Sequence, residues 1–354
     1  MHVSGILQQW YVLNKRDLPW RETCSPYHIW LSEIILQQTR VVQGLGYYNK
    51  FIGQYPRIED LACASLDDVL KLWQGLGYYT RARNLHETAK LVATELNGIF
   101  PQTYSDLLRL KGIGKYTAAA IASFAFREPV AVVDGNVFRV LSRIFGIDLP
   151  VDTIQGKKVF GQKAAQILDQ ENPHIHNQAI MEFGALVCLP RNPQCQACPF
   201  SDKCIALNSN KTDLLPVKSG KKPLRDRYFN YFFIISHGHT WLNKRGGRDI
   251  WHSLYEFPLI ETPFRQNLED LSALKEWHDI IGDVTVKKVS PVRYYKHQLT
   301  HQTIHCSFYQ IVVTQDPPFA GHRPLKINAC NLNRYAVSRL IEKYLADLKP
   351  ELPI

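Results

Sequence analysis

No apolar run in this 354-residue chain is long enough to cross a membrane. The opening MHVSGILQQWYVLNKRD lacks the hydrophobic stretch of a secretory signal and the Arg/Ser-rich pattern of a transit peptide, so a soluble, cytoplasmic protein is expected. Acids are in deficit, 32 against 42 Lys plus Arg, for a formal net charge of +10. That balance suits a polyanion such as nucleic acid, although many basic proteins bind none. A disulfide framework is also missing. Of eight cysteines, four fall between Cys188 and Cys204, while Cys24, Cys63, Cys306 and Cys330 are scattered, which fits a reducing compartment and one metal site. The length admits two or three domains with proper cores.

What is present is organised around Ser105 to Val140. Leu107, Leu108 and Leu110 make a short apolar face, Gly112-Ile113-Gly114 breaks it, and Tyr116 to Phe126 resumes a helix whose alanines allow close packing. A glycine turn before a helix N-terminus offers free N–H groups to an anion, with Lys111 and Lys115 beside it. A tight helix–helix turn with solvated lysines has the same pattern. After the apolar run Val130 to Val133 comes Asp134, at or near the start of a helix reading Val137, Val140, Leu141. There a carboxylate would be kept ionised, although an ordinary N-cap is equally described.

Glu33 lies in a mostly apolar helix expected over Tyr27 to Val42. Desolvation would raise its pKa toward what a general acid needs, the alternative being an acid on the solvent face. The segment Arg16-Asp17-Leu18-Pro19-Trp20-Arg21, after a helix over residues 5–14, could hold a flipped base or be a packed turn. Gly75 to Arg83, with Tyr78 and Tyr79, suits ring insertion between bases or a buried pair.

Cys188-x6-Cys195-x2-Cys198-x5-Cys204 follows a helix expected over Asn177 to Val187. Zinc usually takes two short Cys or His pairs and only one exists here; four thiolates also suit a 4Fe-4S cluster. Residues 208–227 read as a basic linker. Beyond it, strands are expected over 228–236, 284–289, 294–299 and 303–314, with helices near 267–281 and 333–348, giving an α+β domain.

Together SEIILQQT, GLGYYTRARNLH, LKGIGKYTAAAI, VDGNV and the cysteine loop resemble the helix-hairpin-helix DNA glycosylases, in particular adenine DNA glycosylases of the MutY type. The tail, with Trp251 to Pro258, resembles the Nudix fold at the C-terminus of that family, without the glutamate-rich magnesium helix that pyrophosphate hydrolysis requires. The resemblance implies a multidomain protein. Residues 1–207 would be the mostly α-helical catalytic domain, its six-helix part about 22–128 and the N-terminal helix plus 129–207 its 4Fe-4S part; 208–227 would be the linker and 228–354 the Nudix-like lesion-recognition domain. It implies excision of adenine opposite 8-oxoguanine in double-stranded DNA by a nucleoid-associated monomer.

By motif, Glu33 would protonate N7 of the flipped adenine and Asp134 would stabilise the oxocarbenium ion. Tyr116 and Asn136 would support Asp134 and the attacking water. Arg16, Leu18, Trp20, Arg21 and Gln178 would line the adenine pocket, Gln38 and Tyr78 would enter the duplex, and Leu299, Thr300 and His301 would read 8-oxoguanine. Gly112, Gly114 and Lys115 would hold a phosphate, and Cys188, Cys195, Cys198 and Cys204 a 4Fe-4S cluster. Tyr116 stands where endonuclease III-like enzymes carry their Schiff-base lysine, so strand cleavage is not expected, Lys115 offering at most a weak side reaction. An endonuclease III-like pyrimidine-lesion glycosylase and lyase, and a non-catalytic DNA-binding protein, are the alternatives.

Overall fold

A computed structural model describes residues 3–220, 223–247, 249–321 and 323–348. The chain divides into two compact units: Met1–Cys63 with Asn84–Lys221, and Ala64–Arg83 with Lys222–Ile354.

The first unit is helical. Its site-bearing helices are α1 (Val3–Asn14), α2 (Pro26–Leu36), α3 (Lys115–Phe126), α4 (Gly135–Phe145) and α5 (Pro173–Leu186). Small residues explain the first close approach: Ala118, Ala119, Ala120 and Ala122 of α3 are buried, and α2 packs there with Ile29 to Ile35 buried. A second close approach brings α5 onto the start of α4. A Cβ at Gly184 would sit 2.7 Å from the Cβ of Asn136, so only glycine lets the helices meet. Leu7, Val140, Leu141 and Phe183 fill the core shared by α1, α4 and α5, with Trp10 edge-on to Phe183 at 5.2 Å.

The helix expected over Tyr27 to Val42 does not run that far. α2 ends at Leu36, the chain turns through Gln38 at φ +56, and a new helix spans Val41–Gln54. No glycine or proline marks this turn in QQTR, so sequence periodicity runs straight through it. The glycine hairpin forms as expected. A single turn at Tyr104–Leu107 leads to Gly112 at φ +76 and to Gly114, the N-cap of α3.

The strands of the second unit are β1 (Arg225–Ile235), β2 (His239–Lys244), β3 (Tyr255–Glu256), β4 (Leu259–Thr262), β5 (Val286–Val289), β6 (Arg293–Gln298), β7 (Gln302–Val313) and β8 (Leu325–Asn328). β1 pairs with β4 antiparallel and with β7 in parallel, and β5 and β6 both pair with β7. β2 lies between β3 and β8 in a smaller sheet. Tyr344, on the helix Arg339–Leu348, stacks on Phe308 of β7 at 4.1 Å. The helix expected near 267–281 is split into Leu268–Ser272 and Lys275–Ile281, and the one expected near 333–348 is confined to Arg339–Leu348, with a separate 3-10 turn, Ala329–Arg334, ahead of it.

Residues 64–83 are tied into this same unit. Ser65 caps the helix Leu66–Leu72 by accepting from the Asp68 N–H at 3.1 Å. Asp67 then accepts from Lys244 at 2.5 Å and from the Tyr255 hydroxyl at 2.8 Å, and Arg83 donates to the His252 carbonyl at 2.7 Å.

Candidate active site

A cavity of about 180 Å³ in the first unit gathers residues spread along the sequence from Arg16 to Ala185. Arg16, Leu18, Trp20 and Arg21 come from the segment after α1, Glu33 from α2, Tyr116 from the first turn of α3, Asp134 and Asn136 from the start of α4, and Gln178 from α5. Each of these was singled out in the sequence.

Glu33 is buried, 5% exposed, and its pKa is pushed up to about 7. Burial is the main cause and the charge of Asp134 adds to it; a hydrogen bond from Tyr116 and the charge of Arg21 work the other way. The Tyr116 hydroxyl donates to Glu33 Oε2 at 2.5 Å. This differs from the expected role of Tyr116 beside Asp134: its ring rises from the α3 N-terminus toward α2, so its hydroxyl meets the other carboxylate.

Asp134 is the N-cap of α4, accepting from the Val137 N–H at 2.7 Å and from Asn136 Nδ2 at 2.9 Å. The capping geometry is the expected one, and burial works against its effect on the carboxyl. Burial raises its pKa above the ordinary carboxylate value, and the hydrogen bonds oppose that rise without cancelling it. Two carboxyls thus share one cavity, and the charge of Asp134 raises the cost of ionising Glu33.

Glu182 was not foreseen from the sequence. Its buried carboxylate accepts from the Arg16 N–H, Nε and Nη2 and from Arg21 Nη1 and Nη2, at 2.6 to 3.0 Å. Burial would raise its pKa, yet these hydrogen bonds and the charge of Arg21 hold it down at about 2. The available signal was spacing: Glu182 follows Gln178 by four residues, one turn along the same face of α5. Tyr11, also unforeseen, donates to Gln178 Oε1 at 2.6 Å. Arg139 links the site to the cysteine loop, donating to Asn136 Oδ1 at 2.8 Å and to the Cys188 carbonyl at 2.6 Å.

The other expected residues lie outside this cavity. Gln38 is exposed on the turn after α2. Gly114 and Lys115 are exposed at the N-terminus of α3; Gly112 packs on Asn84, its virtual Cβ 2.7 Å from that residue's own. In the second unit, Tyr78, 52% exposed and at φ +47, lines a groove of about 250 Å³ with Leu299, Thr300 and His301. The hydroxyls of Tyr78 and Thr300 share a hydrogen bond of 2.9 Å.

Cys188, Cys195, Cys198 and Cys204 are free and line one cavity with Arg143 and Phe200. Arg143 Nη1 donates to the Cys188 sulfur at 3.5 Å and the Phe200 N–H to the Cys198 sulfur at 3.4 Å. Among the described residues no three His, Cys, Asp or Glu side chains converge as ligands of one ion would. Four thiols lining one space, with N–H groups aimed at two of the sulfurs, fit the thiolate donor set of an iron–sulfur cluster.

Residues 31–160 match the family of HhH-GPD superfamily base excision DNA repair proteins, and residues 230–347 match the NUDIX domain. Fold and site therefore define a helix-hairpin-helix DNA glycosylase with a Nudix-like C-terminal domain. The adenine DNA glycosylase of Buchnera aphidicola subsp. Baizongia pistaciae is 36% identical over 318 residues, 90% of this chain and 88% of that protein. That of Buchnera aphidicola subsp. Acyrthosiphon pisum is 34% identical over 99% of this chain and 98% of its own. The human adenine DNA glycosylase is 45% identical over 57% of this chain and 39% of its own length. Among solved structures, a thermostable thymine-DNA glycosylase superposes with a TM-score of 0.55 at 30% identity, over 58% of this chain and 95% of its own. A non-covalent endonuclease III–DNA complex does so at 0.51 and 21%, over 59% and 96%, a likeness of fold alone. The chain belongs to the adenine DNA glycosylase family, and DNA is its substrate. No helix among the described residues is long and apolar enough to cross a membrane.

Proposed function

We propose that this glycosylase removes adenine paired with 8-oxoguanine or guanine, with Glu33 as general acid and Asp134 as the stabilising carboxylate. The observation that carries this is a buried Glu33 with a pKa of about 7 facing the same cavity as Asp134. With its pKa pushed up to about 7, Glu33 keeps its proton in a large share of the molecules near neutral pH. Tyr116 donates to Oε2, which leaves the acid proton to Oε1. Glu33 gives that proton to N7 of the flipped adenine, the N-glycosidic bond breaks with its electron pair leaving on the base, and the sugar becomes an oxocarbenium ion. Asp134, ionised and held by Val137 and Asn136, faces that ion and orients the attacking water. Arg16, Leu18, Trp20, Arg21 and Gln178 enclose the base, while Gln38 and Tyr78 enter the duplex.

The exposed N–H groups after Gly114, with Gly112 shaping the turn and Lys115 adjacent, suit a backbone phosphate. Cys188, Cys195, Cys198 and Cys204 would hold a 4Fe-4S cluster, whose contribution there is to pin the loop that carries Arg143's partners. The protein acts as a monomer. Leu299, Thr300 and His301 read the oxidised base, with the Tyr78–Thr300 hydrogen bond supporting that role. Thr300→Ala with His301→Ala is therefore expected to erase most of the preference for adenine opposite 8-oxoguanine over adenine opposite guanine, measured as the ratio of single-turnover rates. An unchanged ratio would mean that the loop reads nothing.

Tyr116 cannot form a Schiff base, so the strand stays intact. The test is a single-turnover assay on duplexes bearing adenine opposite 8-oxoguanine, adenine opposite guanine, and thymine glycol opposite adenine, each resolved with and without alkali. Cleavage at adenine only after alkali is expected; cleavage at thymine glycol without alkali overturns the reading. The pH profile makes a second test. Because Tyr116 lowers the Glu33 pKa, the rate should fall as pH rises through about 7 in the wild type, and Tyr116→Phe should move that limb to higher pH. A limb that stays in place in Tyr116→Phe would remove Glu33 as its origin.

A further inference from the structure

Beside the hairpin, a groove of about 710 Å³ runs between Lys115 at the start of α3 and the helix Ile154–Ile167, which contributes Lys157 and Lys158. Its floor is apolar, Ala131, Val133 and Phe138, with the aromatic ring of Tyr104 at the side. Among the described residues no Asp or Glu lines it. Lys115, Lys157 and Lys158 are exposed, and among the described residues none of the three is in an ion pair. That sets them apart from Lys111, which reaches Glu87 at 2.5 Å, and from Lys244 and Lys326, each closed on an aspartate. Ile154, 91% exposed, stands at the end of the helix with nothing folded over it.

From this we infer that the groove is a second phosphate-binding track, in which Lys157 and Lys158 hold the DNA backbone next to the phosphate at Gly114 and Lys115. Charge is the first ground: three unpaired cations without an opposing acid attract a polyanion, and each phosphate neutralised releases a counterion. Continuity is the second, since Lys115 belongs both to the hairpin and to the groove wall. Tyr104 and Phe138 give the sugar edges an apolar surface to pack on, so the track adds area as well as charge. The inference rests on the reading of the hairpin as a phosphate site and extends it by one helix. An acidic protein segment is the other occupant with this charge, and the experiment separates the two.

The measurement is binding of the full chain to a duplex bearing adenine opposite 8-oxoguanine, by fluorescence anisotropy over a series of salt concentrations. Lys157→Ala with Lys158→Ala should weaken binding roughly ten-fold at physiological salt and flatten the slope of log Kd against log salt by about 1.8, about 0.9 for each phosphate no longer neutralised. Gln162→Lys, which adds a cation to the same wall, should steepen that slope by about 0.9. Lys115→Ala is measured alongside as the test of the hairpin. If Lys115→Ala flattens the slope and neither helix variant changes it, the track is wrong while the hairpin stands, and the DNA backbone does not occupy the groove. If all three variants bind as the wild type does, both readings fall.

Discussion

Replacing Glu33 with glutamine is expected to lower the single-turnover rate of adenine release roughly 100-fold to 10,000-fold, the range typical for loss of a general acid, and to leave duplex binding near the wild-type level. Glutamine keeps the shape and can still accept from Tyr116, so what disappears is the transferable proton. The same substitution should make the protein more stable above neutrality. Folding lifts the Glu33 pKa from 4.5 to about 7, so ionising this carboxyl costs folded stability. The stability is therefore complete below about 4.5 and is lost as pH rises through about 7. A shift of that size corresponds to about 3 kcal/mol once ionisation is complete. Urea melts at pH 8 should show the variant ahead of the wild type, and melts at pH 5 should show most of that lead gone. A variant that turns over adenine at the wild-type rate, or that gains nothing at pH 8, would take Glu33 out of the mechanism.

The second large effect lies at Glu182. Glu182→Ala strands two guanidinium groups beside the pocket without a counter-charge, and removing one partner of a buried ion pair costs about 3–5 kcal/mol. Glu182→Gln keeps the volume and separates charge from packing. The wild-type carboxylate is held near a pKa of 2, below the 4.5 of the unfolded chain, so its contribution is present above about 4.5 and is lost as pH falls toward 2. Both variants should unfold at lower urea than the wild type at pH 7, and the acid-side loss of stability between pH 4.5 and 2 should shrink in each. Adenine release should fall as well, because Arg16 and Arg21 are oriented by this carboxylate. If Glu182→Gln melts with the wild type at pH 7, the clamp is not a source of stability.

Much of this site was legible in the residues alone because its chemistry is local to short motifs. Asp134 caps the helix that VDGNV announces, the hairpin forms where Gly112 and Gly114 stand, and Glu33 lies on a largely apolar helix whose residues 29–35 are buried. What escaped was set by tertiary contact. Glu182 looks like any acid in a helix until Arg16 and Arg21 arrive from more than 160 positions away. The Tyr116 hydroxyl has two carboxylates to choose from, and only the packing of α3 on α2 decides between them. Burial of Asp134 works against its cap in a way no spacing reveals. In the second unit, long strands with apolar runs such as β1 and β7 stood out, whereas β3, two residues long, has too little pattern to be read.

The excursion of residues 64–83 into the second unit has a consequence for how this protein can be divided. The chain passes from one unit to the other three times, at residues 63, 83 and 221, and not once as a bead on a string would. Severing it after Gly220 leaves Asp67, Lys71, Tyr79 and Arg83 on the catalytic fragment, stripped of Lys244, Tyr255, Tyr335, Val337 and His252. The released tail in turn lacks a capped helix that it holds in the intact chain. Neither piece is a whole domain. The Nudix-like half is thus interleaved with the sequence of the catalytic half, and exchanging it between relatives as a cassette requires two inserts, one of them about twenty residues long and far upstream of the other.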